Sequence, residues 1–565
     1  MEKTKRFNLY IYIELISAVL FSLLSVSFHA DISLLAFPLA AGFTALAVFY
    51  VYFKMLRHTD GKKAFGSLRF LEYLPFVLLL SFILRRAGKN GTYYWYDLIQ
   101  VLLWCVVFIS SLINAYIMNE KRIKNYTTDW NVAPEKTKFS GKAKIIFEVI
   151  DWIDALVQAI FMVLLIQIFI LQLYVIPSES MVPEYLVKDK VAVLKFDCGP
   201  KFPLTEIGLT DFKPYKRGQI VVLRNPHYKL DRKSEVKTVT SQLVFMLTFT
   251  KVNLNKDEDG KIKADPLVKR ITGLPGEQLV MQDGILYART KDSDEFKPVT
   301  EDEKYACWNL NALQKNIKAK VQEFKFTQEG YEAMLQVESL RRSYDLNKAQ
   351  ADAEEMIESL KKMTAGKIKS GTFSEPSLFL NNWEFNYLTV AGNILNQNGG
   401  VEWFEKFITS WIPAKDVKKD MYADAAYKLE VMHKIIYGKI ITKIASYIYE
   451  GNMELINSDE KLKNNTQLQY YFYVYQKYYQ DERNMPVFPA NDENGNAQYI
   501  PENCYFMMGD NRFNSLDMRH TDKEYKAPVT EYDPMPIEYA SFMKPQYVNK
   551  SLIIGKPVIR LTKRK

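Results

Sequence analysis

A hydroxyl and an amine, far apart along the chain, have the settings that nucleophilic chemistry needs. Ser180 lies in Ile176-Pro177-Ser178-Glu179-Ser180-Met181-Val182-Pro183, with a second hydroxyl two residues before it and a proline on either side. Each proline lacks an amide donor and restricts its predecessor, so a helix arriving from upstream is not expected to run on through the segment. An extended backbone would put both hydroxyls on one face. Lys269 lies in Leu267-Val268-Lys269-Arg270-Ile271-Thr272-Gly273-Leu274-Pro275-Gly276. Strand alternation puts it with Leu267 and Ile271, and puts Arg270 on the opposite face. An amine on an apolar face loses hydration, which disfavours its charged form. Moving it from ~10.4 to near 8 costs roughly 3 kcal/mol at ~1.36 kcal/mol per unit. The neutral amine that results suits a general base. A serine hydroxyl is too weakly acidic to attack an amide unaided, and an adjacent base is what it lacks.

A third segment, Met508-Gly509-Asp510-Asn511-Arg512-Phe513-Asn514-Ser515-Leu516-Asp517-Met518-Arg519, supplies charge. Its Gly, Asp and Asn residues allow a tight turn after a strand. Asp510, Asp517 and Arg519 then provide charges for a network with Arg270, carboxylates pairing with guanidinium groups. Taken singly, the three segments also read as a polar exit loop, a snorkelling lysine and an ordinary charged turn. Their combination carries the reading.

Other chemistries fit less well. Of the five histidines, His29 and His58 belong to apolar regions, while His227 and His433 stand outside the three segments. His520 follows Arg519, and a Ser180–His520–Asp517 triad would leave Lys269 without a role. No HExxH or paired-carboxylate pattern is present, so no metal and no cofactor are expected. Cys105, Cys198, Cys307 and Cys504 show no metal-ligand spacing and do not settle the redox compartment.

These segments need elements to hold them, and the 565-residue chain divides into two halves. Up to about Ile176 it carries five apolar runs near the ~20 residues that a bilayer core requires. They are Leu9–Phe28, Leu34–Phe53, Phe70–Leu84, Leu98–Met118 and Ile153–Val175, the third being short and interrupted by Pro75. The basic head Met1–Arg6 precedes a run too long for a cleaved leader, so that run reads as an anchor. Lys54–Arg69 and Lys121–Lys144 hold most of the basic residues between runs and would face the cytoplasm. An odd number of spans then delivers the rest of the chain to the opposite side. This placement also accounts for the net charge of +9 better than nucleic-acid binding does, and no recognition motif accompanies that charge. Glu14, Glu72 and Asp154 fall within or beside the runs, but no repeat or broken-helix pair suggests transport.

Beyond Val175, short β-branched runs predict strands at Lys190–Phe196, Gly218–Arg224, Leu267–Thr272, Gln278–Val280, Ile285–Ala288, Tyr505–Met508 and Ser551–Arg560. Helical spacing appears at Gly330–Tyr344, Asn347–Met363, Glu402–Trp411 and Ala425–Tyr449, with Gln467–Tyr479 readable either way. The apolar run Leu243–Phe249 suits either a segment dipping into headgroups or a core strand. The expected architecture is a multi-helix membrane anchor and a mainly β catalytic domain interrupted by a large, mostly α-helical insertion. The boundaries are 1–143 for the first spans, 144–176 for the last span, 177–300 and 481–565 for the β domain, and 301–480 for the insertion.

The order of Ile176–Pro183, Lys190–Phe196, Lys216–Pro226, Val268–Leu279 and Met508–Arg519, with a weaker tail at Ile553–Lys556, resembles bacterial type I signal peptidases. The resemblance implies Ser180 as nucleophile and Lys269 as general base. It implies an oxyanion hole from the Ser178 hydroxyl and the Ser180 amide, and Ser515 as the group that orients the amine. Arg270, Asp510, Asp517 and Arg519 would form a supporting charged network. The implied substrates are secretory preproteins with small residues one and three positions before the cut. The implied location is the cytoplasmic membrane, with the β domain outside and the bilayer and the secretion channel as surroundings. Two positions depart from the pattern: Met518 stands where serine is common, and Phe513 where aspartate is usual. The first four spans are also extra to it. An inactive membrane scaffold of the same fold is the alternative, and a self-cleaving, repressor-like Ser–Lys protein is disfavoured by the spans.

Overall fold

The computed structural model describes all residues except 1, 60–62, 90–91, 120–121, 127–140, 212–213, 229–230, 249–250, 253, 255, 257–264, 381–385 and 563–565. Among the described residues, five helices are long and apolar enough to cross a membrane: Lys3–Leu23, Ile32–Leu56, Gly66–Ala87, Tyr94–Ile117 and Glu148–Phe169. They belong to α1 (Glu2–Leu23), α2 (Ala36–Ala47, continued with π-helical geometry over Val48–Leu56), α3 (Ala64–Ala87), α4 (Tyr94–Ile117) and α5 (Lys142–Phe169). The first four pack together around Phe7, Ile11, Leu74, Leu78 and Val107, and leave apolar faces outward. Some polar groups of the spans are paired, while others, among them Gln100 Oε1 and Asn114 Oδ1, have no hydrogen-bond partner among the described residues. Asn114 donates to Glu14 over 2.7 Å, and Asp154 accepts from Tyr73 and pairs with Arg69.

Two span expectations need correction. The third run is a full-length helix, for α3 continues through Pro75. A proline removes one ladder bond, and here the loss does not end the helix. The fifth span stops at Phe169, well before Pro177, because Leu171–Val175 forms strand β1 and pairs antiparallel with β2 (Lys190–Leu194). An apolar run is compatible with helix or strand, and here a partner ladder decides.

The β domain is built on a seven-stranded antiparallel sheet. Strand β3 (Ile220–Leu223) leads through helix α6 (Arg232–Leu247) to β4 (Leu267–Gly273). The Leu243–Phe249 run is therefore mostly the end of α6 rather than a core strand, and residue 249 lies outside the described residues. A second sheet contains β5 (Glu277–Gln282), β6 (Ile285–Thr290), β7 (Lys297–Pro298) and β8 (Met485–Phe488). The turn between β5 and β6 has positive φ at Asp283 and Gly284, as a two-residue hairpin turn of this sequence requires. Strands β9 (Cys504–Met508), β10 (His520–Pro528), β11 (Glu538–Met543), β12 (Val548–Asn549) and β13 (Ile553–Arg560) complete the domain. The large sheet runs β1-β2-β13-β3-β4-β9-β12, so β4 sits between β3 and β9, with Lys269 opposite Val221 and Arg270 opposite Met508. Strand β9 feeds directly into the Gly509–Arg519 loop.

Between β7 and β8 the chain is helical. Its main helices are Gln328–Arg342, Leu346–Thr364, Tyr387–Asn396, Gly400–Thr409, Met421–Glu450 and Glu460–Tyr478. The tyrosine-dense Gln467–Tyr479 is thus helix. This segment has its own core, around Phe404, Phe407, Trp411, Ile440 and Tyr475, which reaches into the β domain through Phe513, Val529 and Tyr539. The four cysteines are free thiols.

Candidate active site

The segment after β1 turns back on itself and is pinned by its apolar residues. Ile176 and Met181 are buried against Val191, Val193 and Val222 of the large sheet. Between these anchors Ser178 is exposed and Ser180 half-buried. Their hydroxyl oxygens stand 3.4 Å apart.

Lys269 is 2% exposed. Its Nζ donates to Ser515 Oγ over 3.0 Å. Burial pushes the amine down to about 8, more than the attraction of Asp517 restores. Among the described residues no hydrogen bond joins Lys269 to Ser180. The serine segment is brought to the amine through Gly509. A side-chain carbon there would lie 2.2 Å from Ser515 Oγ and 2.5 Å from the Ser180 carbonyl oxygen, so the Ser180 backbone and the Ser515 hydroxyl crowd the same side of that glycine. Asn511 fixes the contact. Its amide donates to the Ser180 carbonyl, and its side-chain Nδ2 to the Glu179 carbonyl, each over 3.1 Å.

The charged residues separate into distinct pairs rather than one network centred on Arg270. Arg270 grips Asp510 with two hydrogen bonds, of 2.7 and 2.6 Å, and lies over the ring of Tyr305. Asp517 and Arg519 do not meet Arg270. They pair with each other over 2.9 and 3.0 Å, and Asp517 also accepts the Gly509 amide. Asp517 is taken by Arg519 and the Gly509 amide, and strand alternation puts Arg270 on the face opposite Lys269. Burial alone would raise Asp517, but Arg519 outweighs it and holds the carboxyl well below its usual range. Asp510 is instead pushed up by burial, against the pull of Arg270. Arg519 also donates to the carbonyls of Glu482 and Arg512, which closes the loop.

The competing triad is not assembled. His520 is buried with its Nε2 3.2 Å from the Asp481 carbonyl, and burial, then Arg519, pushes the ring down to about 4. Asp517 is occupied by Arg519 and Gly509.

Several site-forming contacts were not part of the sequence reading. Gly509, Asn511 and Arg512 lie in the quoted loop, but its composition does not reveal their partners. Arg512 is fully buried and forms a two-point pair with Asp302, from the stretch between β7 and the first long insertion helix. Cys307 from the same stretch exchanges backbone bonds with Asp510 and Arg512. Glu179, between the two serines, accepts the amides of Gln322 and Glu323. The start of the expected insertion is therefore part of the site's scaffold. The two departures from the resemblance also find places. Phe513 packs edge-on against Trp308, Phe326 and Tyr479, and Met518 is buried in the β core.

Comparison with known proteins follows the same outline. The profile of a family described as signal peptidase, peptidase S26, matches residues 149–341 and 447–560, together more than half of the chain. The interruption falls inside the helical segment. A protein named signal peptidase I from Buchnera aphidicola subsp. Schizaphis graminum (strain Sg) is 33% identical over 130 residues, 23% of this chain and 39% of that protein. A second of the same name, from Buchnera aphidicola subsp. Acyrthosiphon pisum (strain APS), is 29% identical over 182 residues, 32% of this chain and 45% of that protein. The chain thus spans less than half the length of these curated relatives. No solved structure matches it.

Proposed function

The chain belongs to the signal peptidase family, peptidase S26, and from that membership we propose that it is a membrane-bound serine endopeptidase that removes leader peptides from secreted preproteins. The observation that carries this reading is the Lys269 amine, stripped of water and hydrogen-bonded to Ser515 next to the Ser180 segment. A neutral amine donates one N–H to Ser515 and keeps its lone pair for the Ser180 proton. Ser180 Oγ attacks the scissile carbonyl carbon while Lys269 takes that proton. The carbon–nitrogen bond then breaks, and the ammonium returns the proton to the departing amine. Water, deprotonated by the same amine, hydrolyses the acyl-enzyme. The Ser180 amide and the Ser178 hydroxyl are the donors for the oxyanion, and such donors contribute roughly 3–4 kcal/mol each in comparable enzymes. Base and nucleophile, which share no hydrogen bond here, would come into reach as substrate excludes water.

A preprotein would lie extended between the Ser180 segment and β4, as an added strand. The catalytic domain would stand on the periplasmic or extracellular side, where a leader's cleavage point emerges. Sharing a membrane with that leader raises the effective concentration of the two partners. The test is cleavage of a preprotein by the full chain, by Ser180→Ala and by Lys269→Ala. Both variants should fall to background; retained cleavage by either one rejects the mechanism.

A further inference from the structure

A second cavity lies where the membrane bundle meets the β domain. It has a volume of about 360 Å³ and is bounded by α3, α5, α6, the loop at 198–206 and the start of β13. One wall is apolar and comes from two spans, through Leu80 and Ile83 of α3 and Leu164 and Ile168 of α5. The loop is seated at that depth. Phe202 packs against Phe82, Trp104 and Phe169 of the bundle, and Arg86 at the end of α3 donates to the Leu204 carbonyl over 2.9 Å.

The opposite wall is charged. Lys201 pairs with Glu206, Arg224 with Glu235 and Lys550 with Asp211. Lys195, just beyond β2, also lines the cavity; its backbone bonds Ile170 and Cys198, while among the described residues its side-chain amine has no hydrogen-bond or ion-pair partner. Burial, then the nearby Arg224, pushes its amine down to about 8. The cavity therefore offers one unmatched cation above an apolar surface continuous with two spans.

We propose that this cavity binds the phosphodiester headgroup of an anionic membrane glycerophospholipid, with Lys195 facing the phosphate and the acyl chains running along α3 and α5. The complementarity is specific to that chemistry. A free phosphate leaves the apolar wall unused. A basic peptide segment is repelled by Lys195. Placing an anion there restores the charge balance that burial disturbs. The site does not touch Ser180 or Lys269, so it stands apart from the peptidase reading.

The experiment uses the full chain carrying Ser180→Ala, so that no peptidase chemistry enters the result. It is reconstituted in nanodiscs of equimolar phosphatidylcholine and phosphatidylglycerol. Lipids retained after mild detergent extraction are counted by native mass spectrometry. Phosphatidylglycerol should be retained about fivefold over phosphatidylcholine, the preference expected of one lysine at an anionic surface. Lys195→Gln should bring the ratio close to one, and Lys195→Arg should keep it. If Lys195→Gln does not fold, Ile83→Trp, which fills the apolar wall and leaves the charge intact, should lower retention by itself. Unchanged phosphatidylglycerol enrichment in Lys195→Gln or in Ile83→Trp overturns the site. Displacement of the lipid by excess inorganic phosphate overturns the lipid as its occupant.

Discussion

In the proposed mechanism Lys269 trades stability for reactivity, and the sign of that trade is measurable. Its amine lies near 8 when folded and near its ordinary 10.5 when unfolded. The folded state thus binds fewer protons between those values, and stability rises with pH across that window. The contribution is fully present above about 10.5 and is lost as pH falls through about 8. At pH 7 the buried ammonium is therefore a burden, and Lys269→Met should stabilise the chain by up to ~3 kcal/mol there. Chemical denaturation at pH 7 and pH 10 checks this, since the gain should shrink at the higher pH. In the proposed mechanism the same ionisation governs activity. At pH 7 only about a tenth of the amine is neutral, so kcat/KM should climb to a plateau above pH 8, and a rate flat from pH 6 to 9 would argue against Lys269 as base. Gly509 carries a second prediction. Its α-carbon faces the Ser180 carbonyl and Ser515 Oγ with no room for a methyl group. Gly509→Ala should lower kcat by ~100-fold, as displacements of about 1 Å do, with the leader's KM little changed in steady-state assays. At this scale the sequence was informative about residue types. Serine, lysine and charge in separated segments pointed to one chemistry, and the fold brings Lys269 to Ser515 and Gly509 to Ser180. Pairing was not legible. Which carboxylate meets which guanidinium depends on the path of an eleven-residue loop, and Asp517 went to Arg519 because both lie on the turn's inner side.

The Gly509–Arg519 loop is held by elements from both sides of the helical insertion, which makes it the mechanical centre of the site. Arg512 has no route to solvent and depends on Asp302. Removing one partner of such a pair leaves a buried charge uncompensated, typically at 3–5 kcal/mol. Asp302→Asn should therefore lower the thermal midpoint and weaken cleavage together. Phe513 tests the insertion's part in this. It joins Trp308, Phe326 and Tyr479 in one aromatic cluster, so Phe513→Ala should destabilise by ~3–5 kcal/mol. Phe513→Asp, which restores the residue usual in the resembling peptidases, should do worse, because it places a carboxylate among apolar rings. Equal or better stability of Phe513→Asp in a melting experiment would reject the docking role. Elements were legible where periodicity and punctuation agreed, as at β4, at the β5–β6 turn and along Ala425–Tyr449. They were not legible where the answer lay in a distant partner. Leu171–Val175 prolongs the apolar run of the span before it and becomes a strand where β2 pairs with it. Glu179 gives no local hint of its bonds, because Gln322 and Glu323 reach it only through the tertiary fold.

On the scale of the whole molecule, the carboxyl ends of α3 and α5 lie on the same side of the bundle as the β domain. Phe169 leads into β1, and Arg86 holds the Leu204 carbonyl. That fixes which loops share a side: the α1–α2 and α3–α4 connections go with the β domain, and the α2–α3 and α4–α5 connections go opposite. The basic residues that a positive-inside argument counts lie in the second set. Arg85 and Arg86, the apparent exceptions, are tied up in a pair with Asp97 and do not act as free loop charges. Geometry and charge thus agree with the proposed orientation, which puts the amino terminus in the cytoplasm and Ser180 outside. Single cysteines at position 59, between α2 and α3, and at position 531, on the exposed surface beyond β10, distinguish it from its inverse. In a background lacking the four native cysteines, a membrane-impermeant maleimide applied to intact cells stripped of any outer layer should label Glu531→Cys at once. Thr59→Cys should react only after lysis. The reverse pattern would put the Ser180 segment on the side where leaders have not yet crossed, and no secretory preprotein could then be its substrate.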